Sequence, residues 1–174
     1  MTVGCYPGSF NPPTIAHLAV ASAAVRQGAL DRVDLVLSVA ALGKSPGDGP
    51  PVDRRRAVLE AVAGSRPWLG VVVTEARLIA DIAAGYDAVV LGADKWAQVL
   101  DPAWYDGSAV ARDEALARLP RVLVAPRAGD RPEGVELLDL PAAVHQVNAS
   151  AVRSGHPDAA TWALPEAVAS GLWA

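Results

Sequence analysis

Residues 8–17 read GSFNPPTIAH: a glycine, two prolines, a threonine and a histidine at the head of an alanine-rich run. Glycine lets backbone amides approach a ligand closely, and a helix start presents unpaired N–H groups and the positive end of its dipole. Together these make an anion site, with phosphate the usual guest. Pro12 and Pro13 stiffen the turn, and Thr14 and His17, three residues apart, share one helical face. A hydroxyl and an imidazole aimed at a bound phosphate can stabilise charge in group transfer. On their own they also describe a threonine N-cap and a polar histidine on a helix flank. Neither G-x-x-x-x-G-K-[ST] nor G-x-G-x-x-G is present.

Four other stretches carry comparable chemistry. ALGKSPGDGPP (41–51) holds Lys44 and precedes Arg54, Arg55 and Arg56. Consecutive helical residues point about 100° apart, so the three arginines cannot all face one site. In GADKW (92–96), Asp94 stands just past a strand end, where a carboxylate binds ribose hydroxyls or caps a helix. Trp104, in LDPAWYD, offers a plane for a heteroaromatic ring; Trp96, at helical spacing with Val99 and Leu100, is assigned to packing. In VNASAVR (147–153), Ser150 and Arg153 share a helical face, and Asn148 can cap that helix. A helix start plus a guanidinium clamps phosphate oxygens, although a capped terminal helix with a surface arginine reads the same way. His145 and His156 lack metal-ligand spacing, and Cys5 has no basic neighbour to activate it. Structural roles are expected for all three.

These residues must be positioned by elements that alternate along the chain. Strands are expected at TVGCYP, RVDLVLSVA, LGVVVTE, YDAVVLGAD, RVLVAPR and VELLDL. Helices are expected at 14–28, 53–64 with Asp53 as cap, 76–85, 95–100, 108–119, a short turn at 150–155 and a terminal helix over 164–174. Strands separated by helix-length segments predict an α/β, doubly wound, mostly parallel sheet with helices on both faces. Ligands in such sheets bind at the carboxyl ends of the strands, where their order reverses. With 174 residues, no internal repeat and no dividing linker, residues 1–174 are expected to form a single domain.

Composition narrows the classes further. The net charge of −4 argues against a nucleic-acid partner held by a basic surface, although a small basic pocket remains compatible with it. No secretion-signal pattern and no apolar run of about 20 residues is present, so no membrane partner and a cytoplasmic location are expected. A single cysteine excludes an intrachain disulfide. Homo-oligomerisation is left open by the sequence.

GSFNPPTIAH resembles the G-x-F-[DN]-P-x-[TH]-x-G-H signature of the nucleotidyltransferase superfamily with [T/H]-x-G-H motifs, and VNASAVR resembles its I-S-S-T-x-x-R stretch. Ala16 stands at the second glycine, and Asn148 and Ala149 replace two serines. GAD and DPAW are similar to segments of nicotinate and nicotinamide mononucleotide adenylyltransferases, where a tryptophan stacks on the pyridine ring. The resemblance implies a Rossmann-like fold and adenylyl transfer from ATP to a phosphorylated acceptor, nicotinate or nicotinamide mononucleotide, with release of pyrophosphate. It implies nucleotide contacts at Gly8, Ser9, Phe10, His17, Gly92, Asp94, Ser150 and Arg153, and acceptor contacts at Trp104 and Lys44. His17 would face the α-phosphate and Thr14 would align acceptor and α-phosphate. Lys44 and Arg153 would clamp the β- and γ-phosphates. Mg2+ would enter with the nucleoside triphosphate, leaving the protein without a metal site of its own. Transfer to phosphopantetheine, a cytidylyl transfer, or an inert nucleotide-binding module are the alternatives, the last suggested by Ala16, Asn148 and Ala149.

Overall fold

Short apolar runs form the strands and the alanine-rich stretches between them form the helices. The computed structural model describes residues 1–39, 49–127 and 129–174. Strands β1 (Val3–Pro7), β2 (Arg32–Ser38), β3 (Leu69–Thr74), β4 (Ala88–Gly92), β5 (Arg121–Ala125) and β6 (Glu136–Leu137) pair in parallel in the order β3-β2-β1-β4-β5-β6. Helices α1 (Ile15–Gly28), α2 (Val52–Ala63), α3 (Ile79–Ile82), α4 (Ala93–Leu100), α5 (Ala109–Ala117), α6 (Ala149–Arg153) and α7 (Pro165–Ser170) follow in chain order. This is a Rossmann-like α/β fold.

Period-2 alternation divides the sheet's side chains between two cores. Tyr6, Leu35, Leu37, Val90 and Leu123 pack under α1 and α2. Cys5, Val36, Val89 and Leu91 pack on the opposite face against Ile82 of α3 and Val99 of α4, with Trp96 partly buried among them. Both faces are therefore covered, as a parallel sheet requires. Burial, with Asp34 adding to it, pushes the Cys5 thiol up to about 12, so it stays a protonated core residue. The strand order reverses between β1 and β4, which opens a crevice at their carboxyl ends. No helix among the described residues is long and apolar enough to cross a membrane.

Several boundaries differ from the sequence expectation. Residues 76–78 and 83–85 stay outside the helix expected over 76–85; Leu78 is extended and α3 runs only from Ile79 to Ile82. The strand expected to reach Asp94 stops at Gly92, so Asp94 falls in the first turn of α4. α2 begins at Val52 after Pro51, so Asp53 does not cap it but meets the positive end of its dipole. β6 pairs only two residues with β5, at the sheet's edge.

Candidate active site

The crevice is a cavity of about 530 Å³, within the range of roughly 300–1,000 Å³ usual for small-molecule sites. Its lining draws on GSFNPPTIAH, GADKW, LDPAWYD and VNASAVR, while most of ALGKSPGDGPP lies outside the described residues. Gly8, Ser9, Thr14 and His17 follow β1, Gly92 ends β4 and Asp94 lies in the first turn of α4, Trp104 lies beyond α4, and Ser150 belongs to α6. Lys44 lies outside the described residues.

Thr14 is the N-cap of α1, with His17 at its N3 position. The pair forms a capping box in which histidine takes the place of the usual Glu or Gln. The Thr14 N–H donates to His17 Nδ1 at 3.0 Å, and the Thr14 hydroxyl lies 2.9 Å from the same nitrogen. Because Nδ1 accepts, the neutral ring carries its proton on Nε2, which becomes its hydrogen-bond donor. Burial pushes the imidazole from 6.5 down to about 4, and the Arg127 guanidinium adds to the shift. The ring is thus neutral at physiological pH and held in one tautomer. Thr14 itself is only 1% exposed, and its backbone and hydroxyl both serve the imidazole.

Two of the expected nucleotide contacts are placed differently. Phe10 takes the left-handed conformation (φ 43°), and its ring turns into the core instead of lining the cavity. There it meets the His17 ring edge-on, with centroids 5.0 Å apart, and Tyr6 at 5.6 Å. Phe10 therefore supports the imidazole from beneath. This also explains Gly8, whose N–H is occupied by Val36 O at 3.0 Å. A Cβ at Gly8 would come within 2.8 Å of the Phe10 ring. Arg153 does not line the cavity either. Its guanidinium donates to the carbonyl of Asn11 and, at 3.2 Å, to Ser150 Oγ. The two ends of the chain do converge, and the arginine's partner is the loop that carries His17.

Among the consecutive arginines, Arg55 reaches that loop, donating to Ser9 O at 2.7 Å and Pro50 O at 2.9 Å. Arg56 pairs with Glu60 on the surface. At the α6 end, Asn148 caps the helix, its Oδ1 accepting from the Ala151 N–H at 2.8 Å.

Sequence reasoning missed Arg127. It stands just past β5, lines the cavity, and donates to Asp94 at 2.6 Å across the mouth. The β4–β5 register that sets Gly92 opposite Ala125 brings the two stretches side by side. A cation at the carboxyl end of a parallel strand was the available signal, in RVLVAPR. Arg77 and Lys95 also line the cavity, as does His145. Lys95 donates to Gln98 Oε1 at 2.7 Å, and burial lowers its affinity for a proton.

A family model described as cytidylyltransferase-like matches residues 5–145. The chain belongs to the cytidylyltransferase-like family of nucleotidyltransferases. Two solved structures of Plasmodium falciparum nicotinic acid mononucleotide adenylyltransferase share the fold. The one complexed with NaAD has a TM-score of 0.70 at 14% identity, covering 97% of this chain and 93% of its own. The one complexed with APC has a TM-score of 0.70 at 13% identity, covering 99% and 96%. At that identity the likeness is one of architecture. No curated protein sequence matches this member of the family significantly.

Proposed function

We propose that this nucleotidyltransferase moves an adenylyl group from ATP to a phosphorylated acceptor, nicotinate or nicotinamide mononucleotide. An oxygen of the acceptor phosphate attacks the α-phosphorus, the bond to the bridging oxygen breaks, and pyrophosphate leaves. The attacking group is already ionised, so catalysis is positioning plus stabilisation of charge on the α-phosphate and the leaving group. The observation that carries this reading is the neutral His17 ring. With Nδ1 committed to the Thr14 amide, it presents an N–H donor at the head of α1. A donor fixed before the substrate arrives needs no reorganisation during the reaction.

Arg127 supplies the mobile charge. Its partner Asp94 is 62% exposed and Arg127 itself 44%, and such a pair contributes only about 0–1 kcal/mol. A triphosphate can therefore draw the guanidinium away from Asp94, freeing the carboxylate for ribose hydroxyls. Trp104, in the same cavity, provides the plane for a pyridine or purine ring.

Magnesium would enter this site as a companion of the triphosphate. Among the described residues no three His, Cys, Asp or Glu side chains are grouped to hold a metal ion. Asp94, the acidic residue of the lining, is engaged by Arg127. The ion's chemistry would be to neutralise phosphate charge, with phosphate oxygens and water as its main ligands.

Gly92 gives an independent handle. Its φ of −74° suits any residue, and a Cβ there would meet nothing within 4 Å. Neither backbone nor packing asks for glycine, which leaves close approach of a ligand as the reason. Gly92→Val is expected to weaken ATP binding at least tenfold, read by calorimetry, while leaving the melting temperature unchanged.

The reading is tested by following pyrophosphate release with magnesium and ATP or CTP over a panel of acceptors. Release with ATP and either pyridine mononucleotide supports it. Release only with phosphopantetheine or only with CTP moves the protein to another acceptor or base. Triphosphate binding without release under every acceptor makes it an inert nucleotide-binding module.

A further inference from the structure

The turn that carries His17 is held by chain far away in sequence. Leu164 N–H donates to Pro13 O at 3.0 Å, and Ile15 N–H donates to Trp162 O at 2.9 Å. Between them Thr14 forms an antiparallel bridge with Ala163. Asn11, only 4% exposed, is held from the same end of the chain. Its carbonyl accepts from Arg153, and its Oδ1 accepts from the indole N–H of Trp173 at 2.6 Å. All of these partners lie beyond residue 145, where the family match ends. The segment is itself anchored. Leu164 and Ala167 are buried, and Glu166 of α7 pairs with Arg66 at 3.1 Å.

We propose that Trp173 is a positioning residue for nucleotidyl transfer, its indole N–H locking the Asn11 side chain so that the Asn11–Thr14 turn presents the Thr14 amide to His17. The inference rests on the reaction proposed above. Asn11 leads through Pro12 and Pro13 to Thr14, whose N–H sets the imidazole's tautomer. Removing the indole donor breaks a hydrogen bond to a buried amide oxygen, a loss that the turn can relieve by moving. Such a movement displaces the catalytic N–H without removing any group that touches substrate. Trp173 therefore acts on the turnover rate and not on the affinity for ATP.

The test uses the full chain with Trp173→Phe, which keeps the ring and loses the donor. With magnesium, ATP and nicotinic acid mononucleotide, kcat is expected to fall on the order of tenfold while KM for ATP stays within about twofold. The double variant Trp173→Phe/Asn11→Leu should be no slower than Asn11→Leu alone, since Asn11→Leu has already broken the indole contact. A second readout is independent of turnover. By NMR the His17 ring should titrate at higher pH in Trp173→Phe than in the parent, as a loosened turn admits water beside Tyr6, Phe10 and Arg127. A folded Trp173→Phe with parental kcat and parental His17 titration, or additive losses in the double variant, overturns the proposal. If the parent releases no pyrophosphate with any acceptor, adenylyl transfer fails while the titration still decides the positioning role. Should Trp173→Phe not fold, Asn11→Asp keeps an acceptor for the indole and Asn11→Leu does not. Parental kcat and titration in the first, with both altered in the second, support the contact; equal behaviour refutes it.

Discussion

His17→Ala is expected to lower pyrophosphate release about 10²–10³-fold while ATP binding, read by calorimetry, changes little. The asymmetry follows from geometry. The imidazole's Nδ1 is occupied by the Thr14 amide, so the ring adds one fixed donor for the α-phosphate and little to ground-state affinity. Loss of kcat with an unchanged Kd for ATP is the signature of an interaction made in the transition state. Parental turnover in a folded His17→Ala would remove the residue from the reaction. The same burial has a consequence for stability. Because the folded protein holds His17 at about 4 instead of 6.5, the unfolded chain takes up the proton first. His17's contribution is complete above about pH 6.5 and is lost progressively as pH falls toward 4. Urea unfolding of the parent should accordingly weaken more steeply across that window than that of His17→Gln.

Arg127→Ala is expected to reduce kcat/KM for ATP by about 10²-fold or more. Two effects combine. A guanidinium that answers the growing charge of the leaving group is gone, and Asp94 is left at the cavity mouth as an unpaired carboxylate facing a polyphosphate. Arg127 also helps to keep the His17 ring neutral, so the variant's imidazole should titrate at higher pH. The double variant Arg127→Ala/Asp94→Asn should regain part of the lost ATP affinity, because it removes the repulsion without restoring the cation. Unaltered kcat/KM in Arg127→Ala would reduce the Arg127–Asp94 pair to a surface contact.

How much of this was readable in the chain depends on the range of the interaction. The Thr14–His17 unit was legible because a capping box is local: residues three apart on a helix start must meet. The alternating apolar runs gave the parallel sheet, and with it the carboxyl-end rule that pointed to these junctions. The direction of the Phe10 ring was not legible because it depends on a left-handed φ at a single residue, which no periodicity reveals. Arg127 was missed because its pairing with Asp94, 33 residues away, exists only once β4 and β5 are in register. Arg153 was expected to clamp a phosphate, and its contact with Asn11 was not legible. Its bond to a backbone carbonyl leaves no residue-type signal in the sequence. Trp173 was read as part of a terminal helix, and its hold on Asn11 spans 162 positions.

The most direct measurement is a crystal structure with a non-hydrolysable ATP analogue in the cavity. The account predicts His17 Nε2 within about 3.2 Å of an α-phosphate oxygen, and Arg127 turned from Asp94 to the β- or γ-phosphate. A triphosphate seated away from the imidazole, with Arg127 still on Asp94, would contradict it.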